Sequence, residues 1–153
     1  MRYLLITLSI VSFIFSEDST DKDSEFKNHN LSVGILDDKT GISIIGYTYN
    51  VKKNQMNEYF FGVGTMALAF TGTIGWKHYL YKELKTSIYS VLSEQIVAHM
   101  GFSGYMSTIS LSLEHKLKWG TIKAGYFATF IIRTDENKEE FGAFPFVGLS
   151  FDF

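Results

Sequence analysis

"TISLSLEHKLKW", Thr108 to Trp119, alternates without a break: Ile109, Leu111, Leu113, His115, Leu117 and Trp119 share one parity, and Ser110, Ser112, Glu114, Lys116 and Lys118 the other. A period of two is the signature of a strand with one apolar and one polar face. Working outward, further runs repeat the pattern. "LSVGIL" (31–36) aligns Leu31, Val33 and Ile35 and stops at the turn "DDKTG" (37–41). "ISIIGYTYNV" (42–51) sets Ile45, Tyr47, Tyr49 and Val51 against Ile44, Gly46, Thr48 and Asn50. "EYFFGVGTM" (58–66) opposes Tyr59, Phe61, Val63 and Thr65 to Phe60, Gly62, Gly64 and Met66. "FTGTIGWKHYL" (70–80) places Phe70, Ile74, Trp76 and Leu80 against Thr71, Thr73, Gly75 and Lys77.

"TSIYSVLSEQIVA" (86–98) is ambiguous, because Glu94 shares a side with Leu92 and Ile96. "TIKAGYFATFII" (121–132) aligns Ile122, Ala124, Tyr126, Ala128, Phe130 and Ile132. After the charged loop "RTDENKEE" (133–140), the closing run ends in "FVGLSFDF", with Val147, Leu149, Phe151 and Phe153 on one side. No stretch carries a helical stripe. Eight strands joined in a meander predict an all-β, eight-stranded antiparallel up-and-down barrel, since closure removes the unpaired edges that invite aggregation.

The domain organisation follows from composition. Met1-Arg2 followed by the apolar run Tyr3 to Phe15 reads as a signal peptide over residues 1–16, too short for the ~20 residues of a spanning helix. Residues 17–29 read as a polar flexible leader, and 30–153 as the barrel. There is no cysteine, so disulfides and thiolate metal sites are excluded. The net charge of −2 offers no basic surface for nucleic acid.

Alternation alone does not say which face is inside. The face opposite the large apolar residues holds Gly46, Gly62, Gly64, Gly75, Gly125, Gly148, Ser110, Ser112, Thr71 and Thr73, which suits the cramped interior of an eight-stranded barrel. A soluble exterior would carry more charge there. Several runs reach the about ten residues of a tilted transmembrane strand. Tyr49, Tyr59, Tyr79, Tyr81, Tyr89, Trp119, Phe151 and Phe153 flank the turns expected at one end, where an interfacial aromatic girdle would lie. These features together predict a transmembrane barrel with apolar residues outward. Pro145 is expected near the outer rim, where a missing ladder donor costs nothing.

The alternating end Val147, Leu149, Phe151, Phe153 resembles the C-terminal assembly signal of bacterial outer-membrane barrels. The resemblance spans about Leu31 to Phe153 and implies the family of small eight-stranded outer-membrane barrels, without choosing a member. It implies a location in the bacterial outer membrane, reached through the periplasm, with outer-membrane lipid and the barrel assembly machinery as partners. The outer turns, above all Arg133 to Glu140, would then meet any external ligand.

Chemistry is sparse. The histidines are His29, His78, His99 and His115; none stands two residues before a serine, as resemblance to lipid A deacylases would require, and His99 with Ser103 is the nearest approach to a catalytic pair. Glu114 and His115, as strand neighbours, point to opposite faces. Glu114, Lys116, Lys118, Lys123 and Lys77 read as a polar cluster filling the lumen, with Glu94 as a further partner, because buried charges need opposite charges. No cofactor, metal or catalytic residue is expected. The expected role is structural or surface-interacting, without an open general pore. Two alternatives are an outer-membrane lipid-modifying hydrolase and a secreted soluble barrel that binds an apolar ligand.

Overall fold

The computed structural model describes residues 27–66, 68–99, 102–133 and 138–153. The signal-peptide reading and most of the leader lie outside these residues, as does the middle of the Arg133 to Glu140 loop. Eight strands follow one another: β1 (His29–Ile35), β2 (Ile45–Lys53), β3 (Asn57–Met66), β4 (Ala69–Lys82), β5 (Thr86–His99), β6 (Phe102–Lys116), β7 (Thr121–Arg133) and β8 (Lys138–Asp152). Each pairs antiparallel with the next, and β1 pairs with β8, so the barrel is closed and up-and-down, as the alternation predicts. The sixth strand starts at Phe102, earlier than its alternation suggests, and stops at Lys116, leaving Lys118 and Trp119 in a turn.

The registers fix the barrel's shape. A row of partners that starts at Phe151 runs through Leu31, Tyr47, Val63, Gly72, Ile96, Tyr105 and Ile132 and returns to β8 at Glu139, twelve residues away. With ordinary strand rise and spacing, that offset tilts the strands by roughly 45°. The lumen is correspondingly roomy for eight strands.

The facing is unambiguous. Leu111 (58% exposed), Leu113, Ile109, Val63 and Val147 point outward, while Ser110, Ser112, Thr71, Thr73 and Thr108 are buried inside. In β5, Tyr89, Val91, Ser93, Gln95 and Val97 face the lumen, which resolves the strand whose parity the sequence leaves open. Glu94 therefore points outward and bonds with Ser107 Oγ, rather than joining the lumen charges. Tyr79 and Tyr89 are also corrected: they are buried in the lumen, not placed in a girdle. Tyr79 shares the parity of inward Lys77, and the register shifts only beyond it, between Tyr79 and Tyr81.

We call the end where His29 and Phe153 pair the near end. An outer aromatic band does exist there. His29 stacks on Phe153 (ring centres 5.6 Å apart) and packs against Tyr49, Tyr49 meets Phe61, Tyr59 stacks on Trp76, and Trp119 meets Phe151.

Pro145 is not at the rim of its own strand, because β8 continues to Lys138. His29 and Phe153 exchange both backbone hydrogen bonds, so the odd-numbered residues of β8 aim their backbone groups at β1. The pairing with β1 ends at Ile35 and Val147. Residue 145 is thus the first whose amide would find no β1 partner, and it is the proline. The barrel wall is low at β1 and high at β8, so a local rim lies partway up β8. The same parity predicts that in hydrogen exchange the amides of Phe141 and Ala143 exchange rapidly while those of Gly142 and Phe144, aimed at β7, are protected. Equal protection of all four would contradict this register.

Candidate functional site

Glycine, serine and threonine on the inner face leave a space that the wall's own side chains do not fill. The connection between β1 and β2 fills it. At Leu36 the backbone turns to a φ of 65° and the chain leaves the wall, so that Asp37, Asp38, Lys39, Thr40 and Ser43 are buried inside the barrel. The sequence reads "DDKTG" as an ordinary turn, and locally it is one. Asp37 and Gly41 exchange backbone hydrogen bonds, and Asp37 Oδ1 accepts from the amides of Lys39 and Thr40 at 2.9 Å each, an Asx-type turn. Gly41 has a φ of 67°, and a Cβ there would strike Gln95 and Met106. Gly46 and Gly64 make room for the insert: a Cβ on Gly46 would strike the Thr40 side chain, and one on Gly64 would strike that of Ser43 and crowd Thr40.

Wall groups meet the insert's polar atoms. Thr71 Oγ1 donates to the carbonyl of Thr40 and Thr73 Oγ1 to that of Lys39, at 3.0 and 2.9 Å. Lys123 Nζ lies 2.8 Å from Asp37 Oδ2 and 2.9 Å from Asp38 Oδ1. Lys39 Nζ lies 3.2 Å from Glu58 Oε2, and Glu58 also accepts from Tyr79 OH (2.7 Å) and pairs with Lys53 (3.2 Å). Lys77 and Glu114 pair at 2.6 Å. The cations also use aromatic faces. Lys77 Nζ is 3.7 Å from the centre of the Tyr89 ring, and Lys39 is 4.8 Å from that of Phe60. Such contacts contribute up to about 2 kcal/mol when desolvated. A cavity of about 60 Å³ remains at the near end, bordered by Lys39, Glu58, Lys77, Glu114 and Lys123 among others.

The cluster read from sequence is therefore brought together in part. Lys77, Glu114 and Lys123 are buried in the lumen. Lys116 borders the near-end mouth with an exposed side chain. Lys118 is exposed in the turn after β6, outside the cluster, because the strand ends two residues before it. Asp37, Asp38, Lys39, Glu58, Tyr79 and Tyr89 belong to the network and were missed. For Glu58 the signal was parity, since it shares the side of Phe60, Gly62 and Gly64 on β3; Asp37, Asp38 and Lys39 carry no such mark.

The histidines stand apart from this network. His29 Nδ1 meets Tyr47 OH, His78 Nδ1 meets Asn57 Oδ1, and His115 Nδ1 meets Thr86 Oγ1 at 2.9 Å, on the outer wall. Glu114, adjacent to His115, points inward to Lys77 and away from that histidine. The side chain of His99 lies outside the described residues; Ser103, paired with Ala98, is exposed at the far end. Val147, Leu149, Phe151 and Phe153 all lie on the outer face of β8, with Val147 and Phe153 exposed and Leu149 and Phe151 half-buried.

Neither a family model, nor a curated protein, nor a solved structure matches this chain.

Removing one partner of a buried ion pair leaves an uncompensated charge and costs about 3–5 kcal/mol. Lys123→Met should lower unfolding stability by about that amount in denaturant titration. Combining it with Asp37→Asn and Asp38→Asn should restore a substantial part, because the stranded charges are then gone. A Lys123→Met variant as stable as the parent would contradict the assigned pairing.

Proposed function

We propose that this chain is a small integral protein of the bacterial outer membrane, a lipid-embedded barrel with an occupied lumen, no open general pore and no catalytic role, acting structurally or through surface contacts. One observation carries the reading. From Phe141 to the end of the chain the outward residues of β8 and its last neighbour are Phe141, Ala143, Pro145, Val147, Leu149, Phe151 and Phe153, without a polar side chain among them. At the tilt given above, that stripe is about 28 Å tall, close to the ~25 Å apolar band of membrane barrels.

The rest of the wall supports it. Phe61, Val63, Phe70, Ile96, Tyr105, Ile109, Leu111 and Tyr126 are all exposed at 51% or more, a far larger continuous apolar surface than a water-soluble monomer presents. Among the described residues the charges sit in the lumen or towards the ends, apart from Glu94, which faces outward from the middle of β5 and accepts from Ser107 Oγ; a soluble barrel would carry many more on its outer wall. On this reading the near end, with its aromatic band, faces the periplasm. Val147, Leu149, Phe151 and Phe153 are the elements read by the barrel assembly machinery, and the far-end loops are the contact surface for external ligands. The lumen insert agrees with a role that does not involve bulk transport.

Fractionation of a tagged protein should place it in the outer membrane, extracted only with detergent and migrating faster unheated than boiled on a gel. Recovery as a soluble periplasmic protein would contradict the reading. In planar bilayers the refolded chain should give no large stable channels. Phe153→Ala should lower the assembled fraction severalfold, whereas His29→Ala, which removes the same ring stack but keeps the terminal pattern, should not.

A further inference from the structure

At the near end, three lysines from two strands and a turn line one groove, and among the described residues none of them is in an ion pair. Lys82 closes β4, Lys85 sits in the following turn and Lys116 closes β6. The turn is held rigidly: Glu83 N donates to the Thr86 carbonyl at 3.0 Å, and Lys116 N donates to the Lys85 carbonyl at 2.7 Å. These bonds fix Lys85 beside Lys116. Lys82, Lys116, Lys85 and Thr86 wall an open groove that also borders Leu84.

Among the described residues, the five ion pairs use Lys39, Lys53, Lys77 and Lys123, and none includes Lys82, Lys85 or Lys116. Glu83, the carboxylate of the groove, accepts from Tyr81 OH. Lys82 donates to the carbonyl of Gln55 at 2.9 Å and lies 4.1 Å from the centre of the Tyr79 ring, so neutral groups rather than a carboxylate hold its ammonium at the edge of the groove.

We propose that this groove binds a phosphate group. Three like charges held in one groove repel one another, and a multivalent oxyanion relieves that repulsion. A monocarboxylate brings one charge, whereas phosphate brings up to two and several acceptor oxygens, matching lysines that act as point-charge donors. Leu84, 96% exposed at the edge of the groove, gives an apolar contact next to the cationic one. The phosphate can be free or the headgroup of a phospholipid. The site does not depend on the barrel lying in a bilayer, so its failure leaves the membrane reading standing.

The test uses the refolded full chain in an uncharged detergent with two probes, inorganic phosphate by titration calorimetry and phosphatidylglycerol by native mass spectrometry. The wild type should bind at least one of them saturably, more weakly as salt rises. Lys82→Gln combined with Lys116→Gln should weaken that binding by about tenfold or more. Lys52→Gln, outside the groove, should leave it unchanged, and far-ultraviolet circular dichroism verifies that both variants keep the fold. Retention of the lipid without affinity for free phosphate assigns a headgroup; binding of phosphate alone, or displacement of the lipid by it, assigns the free ion. Equal binding by wild type and double variant, or binding of neither probe, overturns the proposal.

Discussion

An ammonium group buried in a protein must meet a carboxylate, and in this barrel that requirement draws a loop into the lumen. Lys123, on the inner face of β7, reaches Asp37 and Asp38, which belong to no strand. Much of the interior follows from that contact. The connection turns inward at Leu36, β1 is left short, and Gly46 and Gly64 keep the wall clear where Thr40 enters. A buried ion pair adds little net stability over well-packed apolar groups of the same size. Its contribution is position: the pairs of Lys123 and of Lys39 with Glu58 hold both sides of the insert at one depth.

The same packing relates the seam of the barrel to its interior. The wall is lowest where β1 leaves it, and the pairing of β8 with β1 stops at Val147. Pro145 occupies the first β8 position beyond that stop whose amide would face the gap. Proline there costs no ladder bond and also blunts the free edge against pairing with another chain. Inside and outside are therefore consistent: the polar connection fills the interior, and an apolar stripe runs down the exterior from Phe141 to Phe153.

Much of this was legible in the sequence. Ile109 to Leu113 alternates with Ser110 and Ser112 in the order in which the wall places them, and eight such runs gave the strand number and closure. Small residues on the inward face announced a crowded interior. The insert was not legible, because "DDKTG" has every local mark of an exposed turn; its burial is decided by Lys123, more than eighty residues away, and by glycines on β2 and β3. Tyr79 could have been placed from the parity of Lys77, but aromatic residues near a turn suggested an interface instead. Glu94 follows its parity outward although its charge argued for the lumen, and it meets Ser107 there.

The proposed location requires the exterior of the wall to meet hydrocarbon. Its most direct test is tryptophan quenching after refolding into vesicles of lipids brominated along their acyl chains. Trp76, in the outer aromatic band at the near end, should be strongly quenched, with bromines near the headgroup more effective than those near the bilayer centre. Emission unchanged by every brominated lipid, with the barrel folded and recovered in the aqueous phase, would contradict it.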